Sequence, residues 1–134
     1  MPDQASTAVA QNLENIAGAI GDVLGDASIA LTADQTTTLE NAVASLTSCA
    51  NQIANQSAMA ALNAAQKDLD AITQATSSAN AAAQKLKQQA TRLNSLLALV
   101  GDALSLGAAI ISGDLPGAIG DAAKVAADAS GQGN

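Results

Sequence analysis

Twelve carboxylates, five cations and a single thiol are the ionisable side chains of this chain, because histidine and tyrosine are absent from its 134 residues. Each kind of chemistry those groups could support meets a missing partner. One cysteine without histidine cannot supply the nitrogen and sulfur ligands of a zinc site. A serine or cysteine nucleophile would have no imidazole beside it to take its proton. Gly18, Gly21 and Gly25 follow no strand and precede no Lys-Ser or Lys-Thr pair, so they form no phosphate-cradling loop. With no Phe, Trp or Tyr the chain cannot stack bases or sugars.

Carboxylates remain as the candidate acid–base groups. Asp68 and Asp70 are two positions apart, so on a helix they diverge by about 200° and do not face one another. Asp22 and Asp26 are four apart, but a helix end falls between them. These acids read as caps and solvated surface. No Glu-x-x-His motif argues for a carboxylate metal site. The expectation is a non-enzymatic protein with no catalytic residues, metal or cofactor.

Charge narrows the partners. A net charge of −7 and a pI near 4.1 oppose nucleic acid, which demands a basic face, and oppose simple adsorption to anionic lipid. The charge is uneven. Residues 1–66 hold six acids and no base, whereas 67–92 hold Lys67, Lys85, Lys87 and Arg92 against Asp68 and Asp70. Lys85, Lys87 and Arg92 thus form a candidate basic patch. It serves either as a solvated segment pairing with acids inside the fold or as a docking patch. Gly21–Gly25 and Gly113–Gly117 match a small-xxx-small pattern, but each contains an Asp, and both read as helix ends.

Cys49 has no intrachain disulfide partner, which fits a reducing compartment. It neighbours Leu46, Ala50 and Ile53, so it is expected to act as a small hydrophobe at the edge of a helix's apolar stripe. The start Met1-Pro2-Asp3-Gln4 has no basic region followed by an apolar stretch. The expectation is no signal peptide and a cytoplasmic location, with leaderless secretion as the alternative.

The elements that position these residues are helices. Alanine supplies 34 residues, while Leu, Ile and Val together supply 28. Such a core is thin, and its helices must pack closely through small side chains. No Gly or Pro occurs from Asp26 to Val100, which argues against many tight turns. Val9, Leu13, Ile16, Ile20 and Val23 make one amphipathic stripe and predict a helix over 4–24. Thr32-Ala33-Asp34-Gln35 reads as a capping box. Behind it a stripe from Leu39 to Ile72 keeps helical spacing and predicts one long helix over 33–75, with Asn55-Gln56-Ser57 as its weak point. Thr76-Ser77-Ser78-Ala79-Asn80 is the best turn candidate in the Gly-free run. A third helix over 80–112 and a fourth over 115–129, capped by Asp114 with Pro116 in its first turn, complete the chain. The predicted fold is all-α: a single-domain, elongated four-helix bundle. A long antiparallel hairpin, 33–75 against 80–112, would be covered by shorter N- and C-terminal helices, with loose ends at 1–3 and 130–134.

Residues 93–111 carry one charge, Asp102, and follow the basic patch. Their length suits a membrane span. On a helical wheel, however, the large apolar residues fill one half-turn, and Asn94, Ser95, Gly101, Asp102 and Ser105 lie in the other. That division suits the core of a bundle or the groove of a partner better than lipid. The candidate interaction face is Leu93, Leu97, Val100, Leu104 and Ile111. Its expected partner is protein, either a second copy or another chain, giving a homo-oligomer in the first case. The alternative is a membrane-active protein. The apolar arc followed by the glycine-rich segment 113–120 resembles, in outline, the helical pore-forming toxins. Thr36 and Thr47 are eleven apart, as in the alanine-rich fish antifreeze helices, but Ala58 and Leu69 occupy the next positions and break that pattern.

Overall fold

The computed structural model describes residues 4–26, 29–87 and 93–132. Among them are six helices and no strand: α1 (Gln4–Gly25), α2 (Ala33–Gln56), α3 (Ala58–Ala61), α4 (Gln66–Leu86), α5 (Leu93–Ser112) and α6 (Leu115–Gln132). The chain is all-α, as its composition and periodicity predict.

Local signals set several boundaries. The Thr32 hydroxyl accepts the Gln35 N–H at 3.1 Å, and the Gln35 side chain accepts the Thr32 N–H at 2.9 Å, completing the capping box of α2. At the other hairpin, Gly113 takes φ +78° and donates to Ile110 O, while Asp114 N–H reaches back to Ala109 O. This pair of bonds is a Schellman ending, which places a left-handed residue just beyond the helix and so favours glycine. Asp114 then caps α6, its Oδ1 accepting the Gly117 N–H at 3.1 Å.

The long hairpin is divided differently from the sequence reading. The 33–75 stripe breaks after Gln56. Ser57 takes a left-handed conformation (φ 47°), donating to Ala54 O and Ile53 O, and Asn63 does the same at φ 53°. The single turn of α3 and the start of α4 follow. The expected turn at 76–80 lies in the middle of α4. Its Thr76 hydroxyl does not compete with the helix, because it donates to Thr73 O at 2.8 Å, while Ser77 and Ser78 face outward. The expected 80–112 helix is two helices, one ending at Leu86 and the other starting at Leu93. Helix α6 runs on to Gln132, past the expected end at 129; residues 1–3, 133 and 134 of the expected loose ends lie outside the described residues.

Five helices of 18 residues or more therefore make the bundle. Neighbours run from α1 to α2, α5, α6, α4 and back to α1. The core lies inside this ring. Leu13, Ile16 and Ile20 of α1 meet Leu46 and Ile53 of α2, Ile72 of α4, and Leu99, Leu106 and Ile110 of α5. Among its described side chains, helix α6 buries Ala118, Ala122, Val125 and Ala129 and packs Leu115 and Ala126, half-buried, against them. Alanine lets α6 approach closely but buries little area per residue.

Helices α1 and α4 are parallel and joined by polar pairs that advance together along both. Asn12 Nδ2 donates to Thr76 Oγ1 (3.1 Å), Gln84 Nε2 to the Asn15 carbonyl (3.1 Å), and Lys87 Nζ to Asp22 Oδ2 (2.7 Å). Below them the fully buried Ser6 hydroxyl accepts the Met59 N–H at 2.9 Å, giving a partner to a backbone donor at the start of α3.

Candidate functional site

The apolar face of α5 is the surface most closely tied to function by the sequence. The structure turns it by about a quarter turn from the expected stripe. The inward side of α5 is formed by Leu96, Leu99, Val100, Ala103, Leu106 and Ile110. Of the predicted face only Val100 is buried; Leu93, Leu97, Leu104 and Ile111 are half-buried along one flank. The four remain together, but as the edge of the core. The reason is the breadth of the arc. Large apolar residues fill a half-turn of α5, and neighbouring helices cover only the part of it that faces the ring's interior.

That flank borders a groove against α2. Leu104, Ala108 and Ile111 form one wall, and Ala44, Ser45, Ser48, Cys49 and Gln52 form the other, around a volume of about 410 Å³. No charged side chain lines it. The two helices approach closely because Gly107 faces the Cys49 side chain: a Cβ built at Gly107 would collide with Cys49 Sγ. Glycine here makes room for a neighbour's side chain, and no unusual backbone angle requires it. Cys49 is 8% exposed and unpaired, and burial pushes its thiol pKa above the ordinary value of 9.0. A thiol held protonated in apolar surroundings is a poor nucleophile, so Cys49 serves packing.

A second groove, about 340 Å³, lies between α4 and α6. Ala71, Ile72 and Ala75 line one side and Ile119, Ala122 and Ala126 the other. Sequence reasoning did not find it. Its walls are mostly alanine, and alanine occurs on every face of these helices, so periodicity carries no signal for it.

The candidate basic patch is described at Lys85 and Lys87 alone. Lys87 is engaged with Asp22 of α1, with the two side chains 25% and 64% exposed. Lys85 is exposed on α4, and Arg92 lies outside the described residues. The carboxylates act locally as well: Asp114 caps a helix, and Asp70 accepts the Gln66 side chain at 2.9 Å. Among the described residues no group of three or more Cys, Asp or Glu is placed to hold a metal ion.

One helix among the described residues, Leu93–Ser112, is long and apolar enough to cross a membrane. Its inward side is taken up by the bundle core.

Comparison with known proteins adds no relative: no protein-family model, curated protein or solved structure matches this chain.

Proposed function

We propose that this chain is a non-enzymatic helical structural or protein–protein interaction module that self-associates. The observation that carries the reading is the flank of α5. Leu93, Leu97, Leu104 and Ile111 stay half-exposed on the chain's most apolar helix, and the groove beside three-residue wall Leu104, Ala108 and Ile111 has no charged lining. Burying such a surface against protein removes apolar area from water without stranding a charge. The thin core supports the same reading, because a bundle short of large side chains is stabilised by further burial against a partner. The chain has no histidine, the side chain whose ordinary pKa suits acid–base work near neutral pH. The test is molar mass in solution by light scattering over a wide concentration range. A mass that rises above one chain supports the reading, and a monomer throughout refutes self-association.

A membrane-active role is the second reading, favoured by the length and apolar character of α5. It predicts dye leakage from neutral liposomes, lost on Leu97→Ala at unchanged melting temperature. Intact liposomes at high protein concentration refute it.

A further inference from the structure

The corner between α2 and α4 sets local backbone against local sequence. Ser57 and Asn63 hold φ 47° and 53°, the two non-glycine residues in the left-handed region among those described. A side chain there crowds its own backbone, and the α5/α6 corner uses Gly113 for the same purpose. Yet the residues between favour helix: seven of the nine from 57 to 65 are Ala, Met or Leu, with no Gly or Pro among them. The helical phase also carries through. At about 100° per residue, the buried sides of α2 (Leu39 to Ile53) and α4 (Ile72 to Leu86) centre about 70° apart. One straight helix would present both on nearly the same side.

We propose that this corner is a hinge and that two copies of the chain associate by opening it and exchanging their α1–α2 hairpins. In the open chain α2, the hinge and α4 form one helix from Ala33 to Leu86, about 80 Å long. The proposal rests on the self-association reading above and gives it a route: α1 and α2 of one copy pack on α4 and α5 of the other, about a two-fold axis. Opening uncovers the sides of α1 and α2 that meet α4 and α5, and a second copy carries their match. That match includes Asn12 to Thr76, Gln84 to the Asn15 carbonyl and Asp22 to Lys87, each re-formed between chains. Exchange thus restores the contacts between the long helices and leaves the change to the hinge. There the Met59 N–H exchanges the Ser6 hydroxyl for the Asn55 carbonyl, four residues back. Met59 and Leu62 leave the core of the closed bundle and pack on the other copy's hinge at the axis. Charge permits this approach. From Asn41 to Gln66 the chain has no Asp, Glu, Lys or Arg, so two hinges meet without repulsion despite a net charge of −7.

Sedimentation velocity of the full chain, equilibrated by warming at high concentration, tests this with two double variants of the hinge. Ser57→Ala with Asn63→Ala disfavours the left-handed corner and favours the continuous helix. Ser57→Gly with Asn63→Gly does the reverse. The expected result is a wild-type dimer whose dissociation constant falls roughly tenfold or more in the alanine pair and rises roughly tenfold or more in the glycine pair, because each dimer holds two hinges. Far-ultraviolet circular dichroism should show at least the wild-type helicity in the alanine pair and a folded helical spectrum in the glycine pair. The route of the chain is read from Asn12→Cys with Thr76→Cys in a Cys49→Ala background, where oxidation of the isolated dimer should join chain to chain. A wild-type monomer at every concentration overturns both the exchange and the self-association reading. A dimer with the same dissociation constant in both hinge pairs, or one whose disulfides close within single chains, overturns the exchange and leaves self-association standing.

Discussion

The α1/α4 pair and the α5/α6 pair are held together by different means. Between α1 and α4, Asn12–Thr76, Asn15–Gln84 and Asp22–Lys87 bond across the interface at successive heights, so sliding one helix along the other breaks them. Between α5 and α6, apolar surface and short side chains do the work, and the polar bonds are local ones at the turn, such as Asp114 to Gly117. Polar pairs fix register at little net gain in stability, whereas apolar packing supplies stability and tolerates sliding. The first pair sets the alignment of the bundle. The second offers surface that still has apolar area to bury.

The largest expected effects fall on α5 and separate its inner side from its flank. Leu106 is fully buried, so Leu106→Ala should lower stability by about 2–5 kcal/mol, read as a large fall in melting temperature. Leu104 is half-buried on the flank, and Leu104→Ala should cost about 1 kcal/mol. Equal losses at the two positions would mean that the flank is core and that the α2/α5 groove is closed.

Next in size is the contact that lets α5 approach α2. Gly107→Ala drives a methyl group into Cys49 Sγ and should cost about 1–3 kcal/mol. Cys49→Ala alone should cost about 1 kcal/mol, and in its background Gly107→Ala should become nearly neutral. Additive losses in the double variant would show that the two side chains do not meet. The thiol adds a pH dependence. Burial raises its folded-state pKa, so above about pH 9 the unfolded chain ionises first and binds fewer protons than the folded one. This contribution is complete below the ordinary thiol value and is lost as pH climbs toward the raised one. Wild type should therefore lose stability there faster than Cys49→Ala.

How far the sequence exposes this fold depends on whether the signal is local. The Thr32 capping box, the Asp114 cap and the Gly113 ending are set by residues within a few positions, and each is found where its residues predict. The α1 stripe is equally plain because Val9, Leu13, Ile16 and Ile20 leave one face with no ambiguity. The break at Ser57 falls at the weak point Asn55-Gln56-Ser57, but alanine disguises it as a continuous helix. Ala50, Ala54, Ala58 and Ala65 continue the stripe of α2 on paper, yet alanine fits any face and does not report where the helix ends. The mid-helix run Thr76-Ser77-Ser78 fails the other way: a turn-like composition is overridden by packing, since Thr76 and Ala79 are fully buried. Of the candidate site, the α5 arc is legible. Its split into core and flank depends on where the other helices sit, which no single-helix pattern contains.

Polar contacts at the base of α1 should respond like buried hydrogen bonds. Ser6→Ala leaves the Met59 N–H without its acceptor and should cost about 1–3 kcal/mol. A backbone opening test by hydrogen exchange would show the same loss as faster exchange at Met59. Unchanged exchange there would mean that water reaches the site.

Smaller still is the strain at the α2 ending. Ser57 sits at φ 47° with a side chain that favours other backbone angles. Ser57→Gly should stabilise the fold by about 1 kcal/mol, since glycine takes that conformation freely. A fall in melting temperature would place Ser57 in a role beyond ending the helix.

The smallest effect should come from the ion pair that ends the α1/α4 ladder. Lys87 Nζ lies 2.7 Å from Asp22 Oδ2, but the Asp22 side chain is 64% exposed, so water and salt screen the attraction. Asp22→Asn should cost less than about 0.5 kcal/mol at low salt, and the difference from wild type should vanish near 1 M salt. Thr76→Val, two turns of helix and more away on the same interface, removes the acceptor from Asn12 in a buried setting, and its cost should persist at high salt. If instead the two variants lose stability equally and both respond to salt, the interface is wet along its whole length. The α1/α4 pairs would then be surface contacts, and the register of the bundle would have to come from the apolar residues alone.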